Sequence, residues 1–95
     1  MLNQAVIVGR VHSIGHDTVT IAVPRNYKNE QGEYDTDFIT AKLVGSIKEN
    51  VSKYCKNGDL VGIKGRLESG FDAIYLMAEK VTFLSSKSDI SKGGD

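Results

Sequence analysis

The clearest two-residue alternation of apolar and polar positions covers residues 38–44 and predicts a strand with one buried face. Its core-facing set is Ile39, Ala41 and Leu43, and its outward set is Phe38, Thr40, Lys42 and Val44. Apolar patterns predict four more strands, at residues 2–12, 18–23, 59–67 and 73–83. In the fourth strand Val61, Ile63 and Leu67 are predicted to face the core, with Lys64 and Arg66 on the opposite face.

A short helix is predicted between the third and fourth strands. Ser46 followed by Glu49 matches the capping box of a helix N-terminus, and Asn57-Gly58 is a typical helix stop. One side of this helix is apolar, with Ile47, Val51, Tyr54 and Cys55. We expect that side, including Tyr54, to pack on the core.

The first and last strands carry additional signals. Residues 5–8 are apolar in succession, which indicates burial on both faces and predicts a cover over the outer face, such as a second subunit. Gly9 is expected to let this strand bend. In the last strand Val81 and Phe83 have the opposite parity to Ile74, Leu76 and Ala78, which predicts a bulge near Glu79-Lys80 and a core position for Phe83.

A helix of this length is too short to cover an open sheet but long enough to close one end of a small barrel. The pattern therefore predicts an all-β fold, a five-stranded OB-fold barrel with one short helix between strands 3 and 4. Residues 1–84 are expected to form this domain. Residues 85–95 are rich in Ser, Gly and charge and are expected to be a disordered tail.

Composition narrows the possible functions. The chain is 40% hydrophobic and 25% charged, as in ordinary soluble proteins, and it contains no signal peptide or membrane-spanning run, so a cytoplasmic location is expected. Its one cysteine, Cys55, cannot form an internal disulfide and is predicted to be a buried apolar residue. His12, His16 and Asp17 are too few for a metal site or a catalytic pair, so no enzyme activity, metal or cofactor is expected.

The order of several short motifs resembles the bacterial single-stranded-DNA-binding protein family. The motifs are Asn3, Val6 and Val8-Gly9-Arg10-Val11 in the first strand, Val44-Gly45 before the helix, Tyr54, Lys56-Asn57-Gly58-Asp59, and Gly65-Arg66-Leu67. The resemblance covers roughly residues 2–84. It implies an OB fold, sequence-independent binding of single-stranded DNA in replication, recombination and repair, and a dimer or tetramer assembled through the first strand.

The residues themselves also suggest a nucleic-acid site. Phe38 is predicted on the outer face near Lys42, Lys64 and Arg66, where a base could stack on the ring and phosphates could meet the cations. Tyr27, Tyr34 and Phe71 lie in loops that could extend this face, and Arg10 is a further phosphate candidate on the first strand. The alternative for Phe38 is burial under a loop or subunit, and for each cation it is a solvated surface charge.

The resemblance places three of the family's stacking aromatics on Tyr27, Phe38 and Phe71. The fourth position is Val44, and the chain has no Trp, so stacking is expected to be weaker than in typical members. The turn at residues 13–17 is short, and the tail lacks the acidic cluster and final Phe that many members use to recruit replication proteins. Asp89-Ile90 is at most a vestige of that motif.

The formal net charge is zero, from twelve basic and twelve acidic residues, which weighs against strong nucleic-acid binding. Two functions therefore stay open. One is the binding and protection of single-stranded DNA. The other is an OB-fold protein-interaction module of a replication-restart or phage protein that binds nucleic acid weakly.

Overall fold

Five strands close into a barrel in the order β1-β2-β3-β5-β4. The computed structural model describes residues 1–86. The elements are β1 Ala5–Ile14, β2 Thr18–Pro24, β3 Thr36–Lys42, α1 Gly45–Tyr54, β4 Leu60–Ser69 and β5 Ile74–Ser85. The β3–β5 pair is parallel, and the other four pairs are antiparallel. This arrangement confirms the predicted five-stranded barrel with one helix between the third and fourth strands.

Strand boundaries differ from the prediction at several ends. β1 starts at Ala5 rather than at Leu2, because Asn3 pairs with Leu67 through its side chain: Asn3 Nδ2 donates to the Leu67 carbonyl (2.6 Å), and the Leu67 N–H donates to Asn3 Oδ1 (2.9 Å). β3 ends at Lys42 rather than at Val44. β5 continues to Ser85, one residue beyond the predicted domain boundary. Residues 87–95 of the predicted tail lie outside the described residues.

The core fills the barrel with the inward side chains of all five strands. Val19, Ile21, Ala41, Leu43, Val61 and Ile63 are buried, as the alternation predicts. The core assignment of Leu67 is wrong, because its side chain is 47% exposed. It has the same parity as Ile63, but β4 and β5 run on past the barrel as a two-stranded hairpin, where residues 1–86 leave the Leu67 side chain partly open to solvent.

The helix starts and stops elsewhere than its sequence signals predict. It begins at Gly45 with Val44 at the N-cap and no side-chain cap, so the predicted capping box of Ser46 and Glu49 is wrong. It ends at Tyr54. Gly58 does adopt positive φ (94°), but in the following turn, where its N–H donates to the Val11 carbonyl (2.7 Å). Docking of that turn on β1 therefore ends the helix earlier than Asn57-Gly58 predicts.

Two aromatic residues predicted to be core are exposed. Tyr54 is 62% exposed and Phe83 is 48% exposed. The short helix reaches the core through Val51 and Cys55 instead, and both are buried as predicted. Tyr54 and Phe83 line an open cavity of about 270 Å³ between α1 and β5.

Three irregularities interrupt the strand pairing among the described residues. At one of them Leu60 pairs with Ser85 and Val61 with Phe83, so Leu84 is an extra residue in β5. Lys64 pairs with Lys80 and Gly65 pairs with Ala78, so Glu79 is an extra residue in β5, which confirms the predicted bulge. A bulge that the sequence did not predict lies in β1. Val11 pairs with Ile21 and Ser13 with Thr20, which leaves His12 as the extra residue.

Candidate nucleic-acid interface

A groove runs along the outer surface where β2, β3 and the β4–β5 hairpin meet. Its volume is about 590 Å³, and its lining combines two aromatic rings, apolar side chains, two threonine hydroxyls and one cation. The lining residues are Thr18, Phe38, Ile39, Thr40, Lys42, Leu67, Ile74, Tyr75 and Leu76. An open groove with ring faces and a positive charge suits an extended, anionic chain carrying planar bases.

Phe38 supplies the largest exposed ring of the groove. Its outward parity in β3 points it away from the core, and its partner on β2 is Ala22, whose small side chain cannot cover a ring. The ring is 58% exposed. The prediction that Phe38 faces outward is therefore confirmed, and no loop within residues 1–86 buries its ring.

Lys42 and Tyr75 form the second feature of the groove. The Lys42 Nζ lies 3.7 Å from the centroid of the Tyr75 ring, a close cation–π contact. Tyr75 was not among the site residues predicted from the sequence. Parity could have found it, because Leu76 and Ala78 face inward and residue 75 must then face outward at the start of β5.

Arg66 shares this outer face with Lys42. Lys42 pairs with Met77 on β5, and Met77 pairs with Arg66 on β4, so the two cations flank β5 in one row. Arg66 Nε lies 3.5 Å from Glu68 Oε2, an exposed ion pair that contributes little to stability and that a phosphate could replace.

The structure separates Lys64 and Arg10 from the groove. Lys64 lies on the outer face between Val6 of β1 and Lys80 of β5. Arg10 is partly buried and donates from Nη1 to the Gly58 carbonyl (3.2 Å), which turns its guanidinium toward the turn after the helix. Of the four predicted phosphate-binding cations, Lys42 lines the groove with Phe38, Arg66 lies across β5 from Lys42 on the same face, and Lys64 and Arg10 lie elsewhere.

The loop between β2 and β3 is ordered and carries two exposed tyrosines, Tyr27 and Tyr34. The Asn29 side chain organises the loop: its Oδ1 accepts the N–H groups of Gln31 and Glu33, each at 2.9 Å. Lys28 Nζ lies 5.9 Å from the Tyr34 ring centroid. These hydrogen bonds shape the loop backbone between the two exposed rings.

Arg25 fixes the base of that loop. It donates to both carboxylate oxygens of Asp37 (2.9 and 3.1 Å), and its guanidinium lies 5.9 Å from the Tyr27 ring centroid. The hydrogen bonds and charge of Asp37 raise the pKa of Arg25, and Arg25 lowers the pKa of Asp37. Because its charge is already paired, Arg25 is suited to hold Tyr27 in place rather than to bind a phosphate.

Phe71 lies at the tip of the β4–β5 hairpin and is fully exposed. The Gly70 N–H donates to the Ala73 carbonyl (2.7 Å) and closes this turn. Tyr75 packs against Gly70, where a Cβ atom would collide with its ring. The hairpin thus presents Phe71 beyond the end of the groove that contains Tyr75.

Within residues 1–86, no group of three or more His, Cys, Asp or Glu side chains is arranged to hold a metal ion. No helix among the described residues has the length and apolar content needed to cross a membrane.

Comparison with known proteins gives one consistent result. Residues 2–71 match the model of the single-strand binding protein family. The chain is 34% identical to a single-stranded DNA-binding protein of Halalkalibacterium halodurans, over 99% of this chain and 67% of that protein. It is 35% identical to single-stranded DNA-binding protein 3 of Listeria innocua, over 98% of this chain and 70% of that protein.

Solved structures with the same fold have lower sequence identity. A Plasmodium falciparum single-strand binding protein in complex with single-stranded DNA has a TM-score of 0.67 and 20% identity, over 90% of this chain and 96% of that one. A small single-stranded DNA-binding protein from Streptomyces coelicolor has a TM-score of 0.64 and 20% identity, over 88% and 95%. These similarities establish the OB fold predicted from the sequence.

Proposed function

This chain belongs to the single-strand binding protein family, and we propose that it binds and protects single-stranded DNA without base-sequence preference. The observation that carries the proposal is the groove in which the exposed Phe38 ring lies with the Lys42–Tyr75 pair. Every base has a face that can stack on a ring, and every nucleotide has a phosphate, so this pairing of groups binds DNA regardless of sequence. The matched relatives carry the name single-stranded DNA-binding protein.

In the proposed complex, bases stack on Phe38 and Tyr75 inside the groove while phosphates contact Lys42 and Arg66. Tyr27, Tyr34 and Phe71 lie on loops beyond it and provide further stacking faces for a longer strand. Lys64 and Arg10 would contact only DNA that continues around the barrel. Each stacked base contributes roughly 1–3 kcal/mol, so a few rings give useful affinity even with zero net charge.

We infer that the outer face of β1 binds a second copy of the chain. Val6 and Val8 are 65% and 50% exposed, although the sequence pattern predicts burial on both faces of this strand. Val8 lies beside Gly62 and Leu84, which extends the apolar surface across β4, whereas Val6 pairs with Lys64. Self-association through this face, giving a dimer or a dimer of dimers, would bury it.

The role that fits such binding is non-catalytic: to cover single-stranded DNA during replication, recombination and repair in the cytoplasm. Single-stranded DNA and further copies of the chain are the proposed partners. Replication proteins are further proposed partners.

A titration of tyrosine fluorescence with oligo-dT tests the proposal. A strand of roughly 35 nucleotides spans two or more OB folds at about 4–16 nucleotides each. Binding predicts saturable quenching, because Tyr27, Tyr34 and Tyr75 lie at the proposed interface. The affinity should fall as salt rises, since each neutralised phosphate releases counterions.

The protein-interaction module is the second candidate, and the zero net charge is the observation that favours it. That function predicts no quenching by oligo-dT at low salt. Saturable, salt-dependent quenching would reject it as the main role of the groove.

A further inference from the structure

The bulge in β1 places a histidine against the proposed stacking ring. His12 is the extra residue between Val11 and Ser13, and its ring centroid lies 4.8 Å from that of Phe38, with the two planes tilted by 59°. Both rings are exposed. A regular β1 strand would have no extra residue at this point. The bulge adds one, and its imidazole therefore lies at the edge of the groove.

The imidazole is free to bind something else. Within residues 1–86 neither ring nitrogen of His12 takes part in a hydrogen bond or an ion pair, and its one ring contact is with Phe38. The other histidine, His16, has a side-chain partner: its Nε2 lies 3.3 Å from Lys48 Nζ. An exposed imidazole beside a stacking ring is therefore available to a ligand that occupies that ring.

The charged groups around His12 are already engaged. On β3, the Asp37 carboxylate next to Phe38 is bound by Arg25. On β1 itself, Arg10 donates to the Gly58 carbonyl. On β2, the residues on either side of the bulge are Thr20 and Ile21, which carry no charge. The carboxylate of Asp59, whose carbonyl accepts the Val11 N–H, accepts the Lys56 N–H (2.8 Å). Within residues 1–86, no carboxylate forms a hydrogen bond or an ion pair with His12.

We propose that His12 is a further nucleic-acid-binding residue, one that contacts the phosphate next to the base stacked on Phe38 and makes affinity for single-stranded DNA increase as pH falls. The inference rests on the proposed function. A histidine side chain gains its proton between about pH 8 and pH 5, so a contact that is neutral at the upper end becomes charge-assisted at the lower end.

The experiment measures the affinity of the full chain for fluorescently labelled oligo-dT between about pH 8 and pH 5.5 at constant ionic strength. Thymine carries no group that titrates in this range, so the pH dependence reports the protein. The variants are His12→Gln, which keeps polarity but cannot become charged, and His12→Arg, which is charged throughout. His16→Gln is the matched control, since it removes the other histidine, which lies away from Phe38.

We expect the wild type and His16→Gln to bind roughly three- to tenfold more tightly at the low end of the range, the gain from one charge-assisted hydrogen bond. His12→Gln should lose this gain, and His12→Arg should bind tightly with little pH dependence. An unchanged pH dependence in His12→Gln, or none in the wild type, would overturn the role of His12 while leaving DNA binding intact. Absence of wild-type binding at every pH would instead contradict the proposed function, and this inference with it.

Discussion

The ammonium of Lys42 lies 3.7 Å from the centre of the Tyr75 ring, across the parallel pairing of β3 with β5. The two residues are 33 positions apart in the sequence. Closure of the barrel brings them together, and the contact holds the lysine chain along the groove wall beside Phe38. This arrangement places a positive charge next to the half-buried Tyr75 ring and in the same groove as the exposed Phe38 ring.

Replacing Lys42 by Gln should weaken oligo-dT binding and reduce its salt dependence. Loss of one phosphate contact lowers the slope of log K against log salt by about 0.7. The measurement is a series of titrations at increasing salt. Lys48→Gln removes the same charge from α1, outside the groove, and should leave the slope near that of the wild type. Equal effects of the two variants would show that general charge, and not the groove, controls affinity.

Replacing Tyr75 by Phe and by Leu separates its ring from its hydroxyl. The hydroxyl makes only a long contact of 3.5 Å with Asp72, so Tyr75→Phe should bind DNA almost as the wild type does. Tyr75→Leu removes the ring and should cost roughly 1–3 kcal/mol of binding free energy. Fluorescence anisotropy of labelled oligo-dT measures both. Wild-type affinity in Tyr75→Leu would remove Tyr75 from the proposed site.

Replacing Val6 by Asp should disrupt self-association without unfolding the barrel. The side chain is exposed in the single chain, so a charge there is tolerated, but it would be buried against a second copy. Analytical ultracentrifugation reports the assembly state. Tyr54→Asp is the control, since it places the same charge at an equally exposed apolar position on the helix. Assembly that persists in Val6→Asp would contradict an interface through β1.

Replacing Gly9 by Ala should destabilise the fold by roughly 1–3 kcal/mol, the usual cost of overpacking. A Cβ atom at this position would collide with the Ala22 carbonyl and press on the Ile21 side chain. Gly62→Ala is the control, because a Cβ atom there meets its neighbours at 3.8 Å or more. Urea unfolding compares the two. Equal stabilities of the two variants would show that the fold does not require the close approach of β1 to β2 at Gly9.

Cys55 should be unreactive in the folded protein. Burial, and next the charge of Asp59, raise the pKa of the thiol, so the thiolate that reacts with disulfide reagents is rare. Labelling should be slow in buffer and rapid in urea. Rapid, stoichiometric labelling of the native protein would contradict its burial.

The raised pKa of Cys55 also sets the direction of a pH effect. A folded-state pKa above the unfolded value gives a stabilising contribution that is complete below about pH 8.5 and is lost as pH rises above it. The stability difference between the wild type and Cys55→Ala should therefore shrink in alkaline solution. A stability difference between the two proteins that grows with pH would contradict this prediction.

Local alternation was sufficient to predict the barrel strands, the outward direction of Phe38 and the bulge at Glu79. It failed at residues whose burial or position depends on tertiary contacts. Leu67 has core parity, but β4 outruns the barrel there, and the helix packs on the core through Val51 and Cys55 rather than through Tyr54. The position of Lys64 away from Phe38 depends on strand order around a closed barrel, and the bulge at His12 has no local signature. These features require the three-dimensional pairing of strands.

The proposal that single-stranded DNA binds in this groove is tested most directly by the affinity of Phe38→Leu for oligo-dT. A thermal unfolding curve is recorded on the same sample. The ring is exposed, so the unfolding temperature should stay close to that of the wild type. Affinity should fall by the value of one stacked base, roughly 1–3 kcal/mol or about 5- to 150-fold. Unchanged affinity in a folded variant would contradict the proposal that single-stranded DNA binds in this groove.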